Sequence, residues 1–214
     1  MLAAGQYAAA AQQLQRAIDH GHLPSRALKA WILLFGREGV ADDHERAFEL
    51  IDRVDCPHCK GVVAYCYLCG YGCKKNPTRS LKLARESSGK GSRYGHYALG
   101  LLYRYSVSGP VAQDFDRALE LYRLAAAQNL DEAQNELGNM HHYAVGVARD
   151  DVEALRWQQL AAAQGHPNAL YNLAVFHENG WGLRKSKTQA ILWYRRALAA
   201  GYSAAEFDLQ RLGT

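Results

Sequence analysis

Cysteine is scarce outside one short stretch: the five residues Cys56, Cys59, Cys66, Cys69 and Cys73 are the chain's whole supply. A disulfide scaffold spreads paired cysteines along a chain, so an odd, clustered set fits a reducing compartment better. No window approaches eighteen consecutive apolar residues, the minimum for a membrane-spanning helix. The start, Met1 to Arg16, lacks a basic head and is interrupted by Gln6, Gln12 and Gln13, so it reads as a helix rather than a secretory signal. Missing as well are a Gly-rich phosphate loop, a nucleophile elbow and any Ser/His/Asp set with a physical context. Charge of one sign is in short supply: 25 Lys and Arg face 21 Asp and Glu, a net of +4. The basic residues are scattered among acids, with no phosphate-tracking stripe, which argues against nucleic acid as a partner. These absences lead to a non-enzymatic chain without a cofactor, cytoplasmic or a segment of something longer.

What is present is a repeat. With 49% hydrophobic and 21% charged residues, the composition is that of a folded chain. Between residues 130–165 and 166–201, Ala133, Leu137, His141, Gly146, Ala154, Trp157, Ala161, Ala163 and Gly165 recur as Ala169, Leu173, His177, Gly182, Ala190, Trp193, Ala197, Ala199 and Gly201. Segments of this composition share about three identities by chance. These nine all fall at a separation of 36.

The same register runs back through the chain. A small residue marks a second helix at Ala47, Ser80, Ala118, Ala154 and Ala190, spaced 33, 38, 36 and 36 apart. Four residues before each stands Asp43, Asn76, Asp114, Asp150 or Ser186, types whose side-chain oxygens accept the free N–H groups of a helix start. Turn glycines follow each first helix (Gly36 and Gly39, Gly70 and Gly72, Gly109, Gly146, Gly180 and Gly182), and others close the units (Gly21, Gly91, Gly165, Gly201). The pattern predicts an all-α solenoid of antiparallel helix pairs in a single repeat domain, 1–214. An N-terminal helix (1–21) precedes repeats near 22–57, 58–91, 92–129, 130–165 and 166–201, and a capping helix occupies 202–214.

Ala133-Leu137-Gly138, Gly146-Val147, Asp150-Ala154-Trp157 and Gly165-His166 together resemble the Sel-1-like repeat, a relative of the tetratricopeptide repeat. The resemblance is strong from Gly91 to Tyr202 and looser before, where residues 54–58 form a Cys- and Pro-containing join. It implies a right-handed superhelix and an adaptor or scaffold role, with a protein or peptide held in a concave groove lined by first helices. Leu137, Leu173, Trp157 and Trp193 are expected in the core. Carrying over the tetratricopeptide pattern, the groove residues are Glu132, Asn135, Asn139, His142 and Tyr143; then Asn168, Tyr171, Val175, Glu178 and Asn179; and, counted from Leu99, Tyr94, Tyr97, Leu101, Arg104 and Tyr105. Asn offers both a donor and an acceptor to a peptide backbone, and Tyr a rigid face with a polar tip. On this reading, replacing Asn135, Asn139 and Tyr171 removes binding and leaves unfolding nearly unchanged. Trp181, between Gly180 and Gly182, either covers the neighbouring core or stands out as an anchor for a partner.

Cys56, Cys59, Cys66 and Cys69 supply enough thiolates for a tetrahedral zinc site, the basis of an alternative function as a metal-stabilised or enzymatic accessory domain. A third alternative is an interaction segment of a larger regulatory protein. Against zinc, the repeat register aligns Cys59 with Ala133 and Ala169, Cys66 with Met140 and Phe176, and Cys73 with Val147 and Leu183, so buried thiols are favoured over metal ligands. A secreted subfamily of these repeats carries a disulfide in each unit, and this chain has no cysteine in its last three units. His141 and His177 share a repeat position and are expected to pack between helices.

Overall fold

The computed structural model describes residues 4–36, 41–105 and 109–213. Gly39, one of the expected turn glycines, lies outside them. Every regular element among the described residues is a helix, and none is long and apolar enough to cross a membrane. The helices fall into two compact units, residues 1–114 and 115–214.

The first unit holds α1 (Ala4–Asp19), α2 (Leu23–Phe35), α3 (His44–Ile51), α4 (Pro57–Cys69), α5 (Pro77–Gly89) and α6 (Arg93–Tyr105). Here α4 is central, packed on α2, α5 and α6. The second holds α7 (Phe115–Ala127), α8 (Asp131–His142), α9 (Asp151–Ala163), α10 (Pro167–Asn179), α11 (Lys187–Ala199) and α12 (Ala205–Arg211), each packed on the next along the chain.

The caps start the second helices as their residue types dictate. Asp43 accepts from the Arg46 N–H, Asn76 from Arg79, Asp150 from Val152 and Glu153, and Ser186 from Gln189. Each capping bond typically contributes about 1 kcal/mol. Prolines at the first turns of α2, α4, α5 and α10 stand where no helical N–H partner is needed. At the far ends, α2, α4 and α10 stop at left-handed Gly36, Gly70 and Gly180. The equivalent stop after α8 is Ala144, with φ of 55°, a left-handed conformation that costs a Cβ-bearing residue about 1–2 kcal/mol.

Burial follows the 36-residue register. Ala133, Ala169 and Ala205 are fully buried, and Leu137, Leu173 and Leu209 line up with them at 0%, 1% and 7% exposure. Thus α12 repeats the buried positions of α8 and α10 and stands as a further first helix. On the second helices the buried stripe is Ala154, Gln158 and Ala161 in α9 and Ala190, Tyr194 and Ala197 in α11. Trp157 and Trp193 lie at the margin of the core rather than within it, with Trp193 packed against the buried cluster of the second unit. Each sits one position off that stripe and is only half buried, and Trp193 lies under the Arg196 guanidinium at 4.6 Å. Spacing of three and four residues defines a helix face but leaves its edge ambiguous by one position.

Candidate functional site

Each first helix presents one face at the positions expected to bind a partner, and the two units use that face differently.

In the first unit the face is aromatic and largely closed. Trp31 of α2 lies 4.8 Å from Tyr94 and 5.9 Å from Tyr97 of α6, and 5.1 Å from Tyr65 of α4. Tyr94, Tyr97, Leu101 and Arg104 are all buried, so this group is core. Only Tyr105 stands out, 57% exposed, with the Arg104 guanidinium 4.9 Å from its ring. Trp31 and Tyr65 join this cluster without standing among the expected groove residues, although their place in the repeat is regular. Each lies five residues before a helix-ending glycine, Gly36 or Gly70, just as Val175 lies before Gly180.

In the second unit the face is amide-rich. Gln158, reaching across from α9, donates to the Asn135 carbonyl at 3.3 Å and to Asn139 Oδ1 at 3.1 Å. Asn172 of α10 donates to the side-chain oxygens of Asn135 and Asn139 at 3.3 and 3.2 Å. Asn135 and Asn139 therefore tie α8, α9 and α10 together, and Asn135 is 4% exposed. Their partners Gln158 and Asn172 were not predicted, because neither occupies a groove position in the repeat. Glu132 is also buried.

A second set of bonds anchors α12. Tyr171 donates to Asp208 at 2.9 Å, and Tyr194 to Glu178 at 2.8 Å. Arg211 grips Glu178 with two N–H groups, at 2.7 and 2.9 Å, and Asp208 at 2.9 Å. Arg211 holds the Glu178 carboxyl below the usual carboxylate range. Burial, aided by Asp208, pushes the Tyr171 phenol up to about 12. Tyr171 and Glu178 thus face α12. Replacing Asn135, Asn139 and Tyr171 together breaks contacts within the unit, so the expectation of unchanged unfolding does not hold for them.

Near the α8 terminus, His142 is 7% exposed and bonds Asp151 at 2.7 Å through Nδ1. Its ring sits 4.4 Å from Trp181 and 4.9 Å from Phe176. Trp181 is held between Gly180 and Gly182, both left-handed; a Cβ on Gly182 would meet the Asp151 carbonyl carbon at 2.8 Å. That close approach lays the indole over the core. Tyr143, 67% exposed, and the exposed Asn168 and Asn179 are the predicted groove residues of this unit that remain open to solvent.

The cysteines follow the register. Cys56, Cys59 and Cys66 are buried, the last two completely, while Cys69 and Cys73 are half buried. Burial pushes the Cys59 thiol up to about 12 and raises that of Cys66 as well. Among the described residues no group of three or more Cys, His, Asp or Glu is placed to hold a metal ion. His141 and His177 are half buried on their helices, and burial lowers the His177 pKa.

Stacked helix pairs with a shared register define an α-helical repeat protein. The Sel1 repeat profile matches four consecutive segments, residues 62–92, 93–130, 131–166 and 167–202, and the chain belongs to the Sel1 repeat family. Among solved structures it is similar to a Sel1 repeat protein from Oxalobacter formigenes, at 26% identity and a TM-score of 0.67 over 78% of this chain and 69% of that one. It is also similar to c5321, a protective antigen of uropathogenic Escherichia coli with an SLR fold, at 25% identity and a TM-score of 0.64. That match covers 94% of this chain and 43% of the E. coli protein, so the chain spans less than half the length of that relative. Comparison with curated proteins gives no match. Sel1 repeat proteins are generally interaction scaffolds rather than enzymes.

Proposed function

We propose that this chain is a protein–protein interaction adaptor that holds a partner peptide or helix against the concave face of its first helices. One observation carries the reading: in the second unit the register position that closes α8 and α10 is open to solvent. Tyr143 caps the end of α8 and Asn179, 36 residues on in the register, ends α10, and both are exposed; in the first unit Tyr105 ends α6 at 57% exposure. Tyrosines of this kind give large contact area at low entropic cost. Around Tyr143 the surroundings are stiff: His142 is pinned by Asp151 and Trp181, and Asn139 by Gln158. A partner therefore pays little to order the face.

The binding set accordingly is Tyr143, Asn168 and Asn179 of the second unit. The amide and tyrosine networks beneath support it. The test is proximity labelling in cells with the intact chain beside Tyr143→Ala/Asn168→Ala/Asn179→Ala. These side chains are exposed, so the variant keeps its unfolding midpoint and loses the partners that depend on the face. A variant with the same partner set as the intact chain refutes the assignment.

A further inference from the structure

Between residues 56 and 113 the chain carries nine Lys and Arg and a single acid, Glu86. The whole-chain net of +4 conceals this block, because acids elsewhere offset it. The fold sorts the nine. Lys60 lies 2.6 Å from Asp55 and also pairs with Glu86, which takes up the one carboxylate of α5. Arg93 stacks on Tyr94 and Arg104 on Tyr105. The other six, Lys74, Lys75, Arg79, Lys82, Arg85 and Lys90, lie on α5 and the turns beside it, and all six are exposed. Arg79 rests over the Tyr67 ring at 4.6 Å. The remaining five have no ion-pair partner among the described residues.

We propose that the outer face of α5 docks an acidic segment of a protein partner. Arg79, Lys82 and Arg85 recur every three residues, which places them along one side of the helix. With Lys75 before it and Lys90 after it, the strip is about 20 Å long, the reach of about six extended residues. The buried side of the same helix, Ser80, Leu81, Ala84 and Ser87, is committed to the core, so the cations have no inward role. Uncompensated like charges repel one another and cost stability. An acidic segment relieves that repulsion.

Protein is the class of polyanion this face suits. No large hydrophobic side chain of α5 is exposed, so nothing is offered for insertion into a lipid surface or for stacking on bases. The other helix rich in cations, α11, lacks this character: Leu192, 42% exposed, interrupts Lys187, Arg195 and Arg196.

The experiment is fluorescence anisotropy on the full chain with a labelled peptide of alternating Glu and Ser. The expected result is binding that weakens at least roughly tenfold in Lys82→Glu/Arg85→Glu/Lys90→Glu, with an unfolding midpoint like that of the parent, and that weakens again as salt is raised. Reversal of Arg184, Lys185 and Lys187 in the second unit leaves it unchanged, as does Tyr143→Ala/Asn179→Ala, so failure here and failure of the proposed adaptor face are read separately. Absence of peptide binding overturns the proposal. So does an equal loss in the second-unit reversal, or tighter binding of duplex DNA or phosphatidylserine vesicles than of the peptide.

Discussion

Gly138→Ala tests whether the amide network in the second unit is a fitted contact. In most exposed helix positions this change is favourable by about 1 kcal/mol, because alanine restricts the unfolded chain and glycine does not. At Gly138 a Cβ would lie 2.5 Å from Gln158 Nε2 and 2.8 Å from its Cδ. The glutamine must move, and in moving it gives up its bonds to the Asn135 carbonyl and to Asn139. Overpacking costs about 1–3 kcal/mol and each lost hydrogen bond about 1 kcal/mol. Against the helical gain, the net is a loss of about 2–4 kcal/mol. For a chain of 214 residues that is a fall in midpoint of about 4–16 °C. The distinguishing result comes in a Gln158→Ala background. There the space is vacant, and Gly138→Ala turns from destabilising to stabilising by about 0.5–1 kcal/mol. Urea unfolding of the four proteins of this cycle gives the coupling directly. If Gly138→Ala is equally harmful with and without Gln158, the clash lies elsewhere and the reasoning fails.

Three other outcomes can be checked. Leu137→Ala, at a fully buried position, lowers unfolding free energy by about 2–5 kcal/mol, measured by urea titration. Glu178 is held below its ordinary value of 4.5 by Arg211, so the stability it contributes is present above that value and is lost as pH falls through the lower folded one. Hydrogen exchange of α12 tracks this loss, and Arg211→Gln reduces the pH dependence while the Tyr194 bond to Glu178 retains part of it. In alkylation at mildly alkaline pH, Cys69 and Cys73 react before Cys56, Cys59 and Cys66, all five react in denaturant, and added chelator leaves the unfolding midpoint unchanged; a chelator-induced drop would instead favour a metal site.

How legible each part was depended on the range of the interaction. The caps at Asp43, Asn76, Asp150 and Ser186 bond N–H groups two or three residues away, so residue type and spacing were enough to find them. Cys59 and Cys66 were legible as core because the register borrowed their environment from Ala133, Ala169, Met140 and Phe176, all of which are buried. The candidate site was harder. Which side of a helix faces a neighbour is periodic, but whether an asparagine there meets solvent or a glutamine from the next helix depends on a partner 19 or 23 residues away. Asn135 and Asn139 were therefore found as a pair and given the wrong neighbours, while Tyr143 and Asn179 at the helix ends kept their expected exposure. The basic face of α5 was hidden by a different kind of averaging. A charge total for the whole chain cannot show that Glu86 is already occupied by Lys60.

The reuse of one set of slots by α8, α10 and α12 has an architectural consequence. Ala205 and Leu209 enter the second unit as Ala169 and Leu173 do, 36 residues earlier. Each docking step thus presents the surface that the next one needs. Copying a 36-residue segment in register lengthens such an array without redesigning its junctions, and deleting one shortens it. Growth in whole modules leaves the turn and helix-end side chains outside these docking slots, so the length of the array and the chemistry of its exposed face can change on separate tracks.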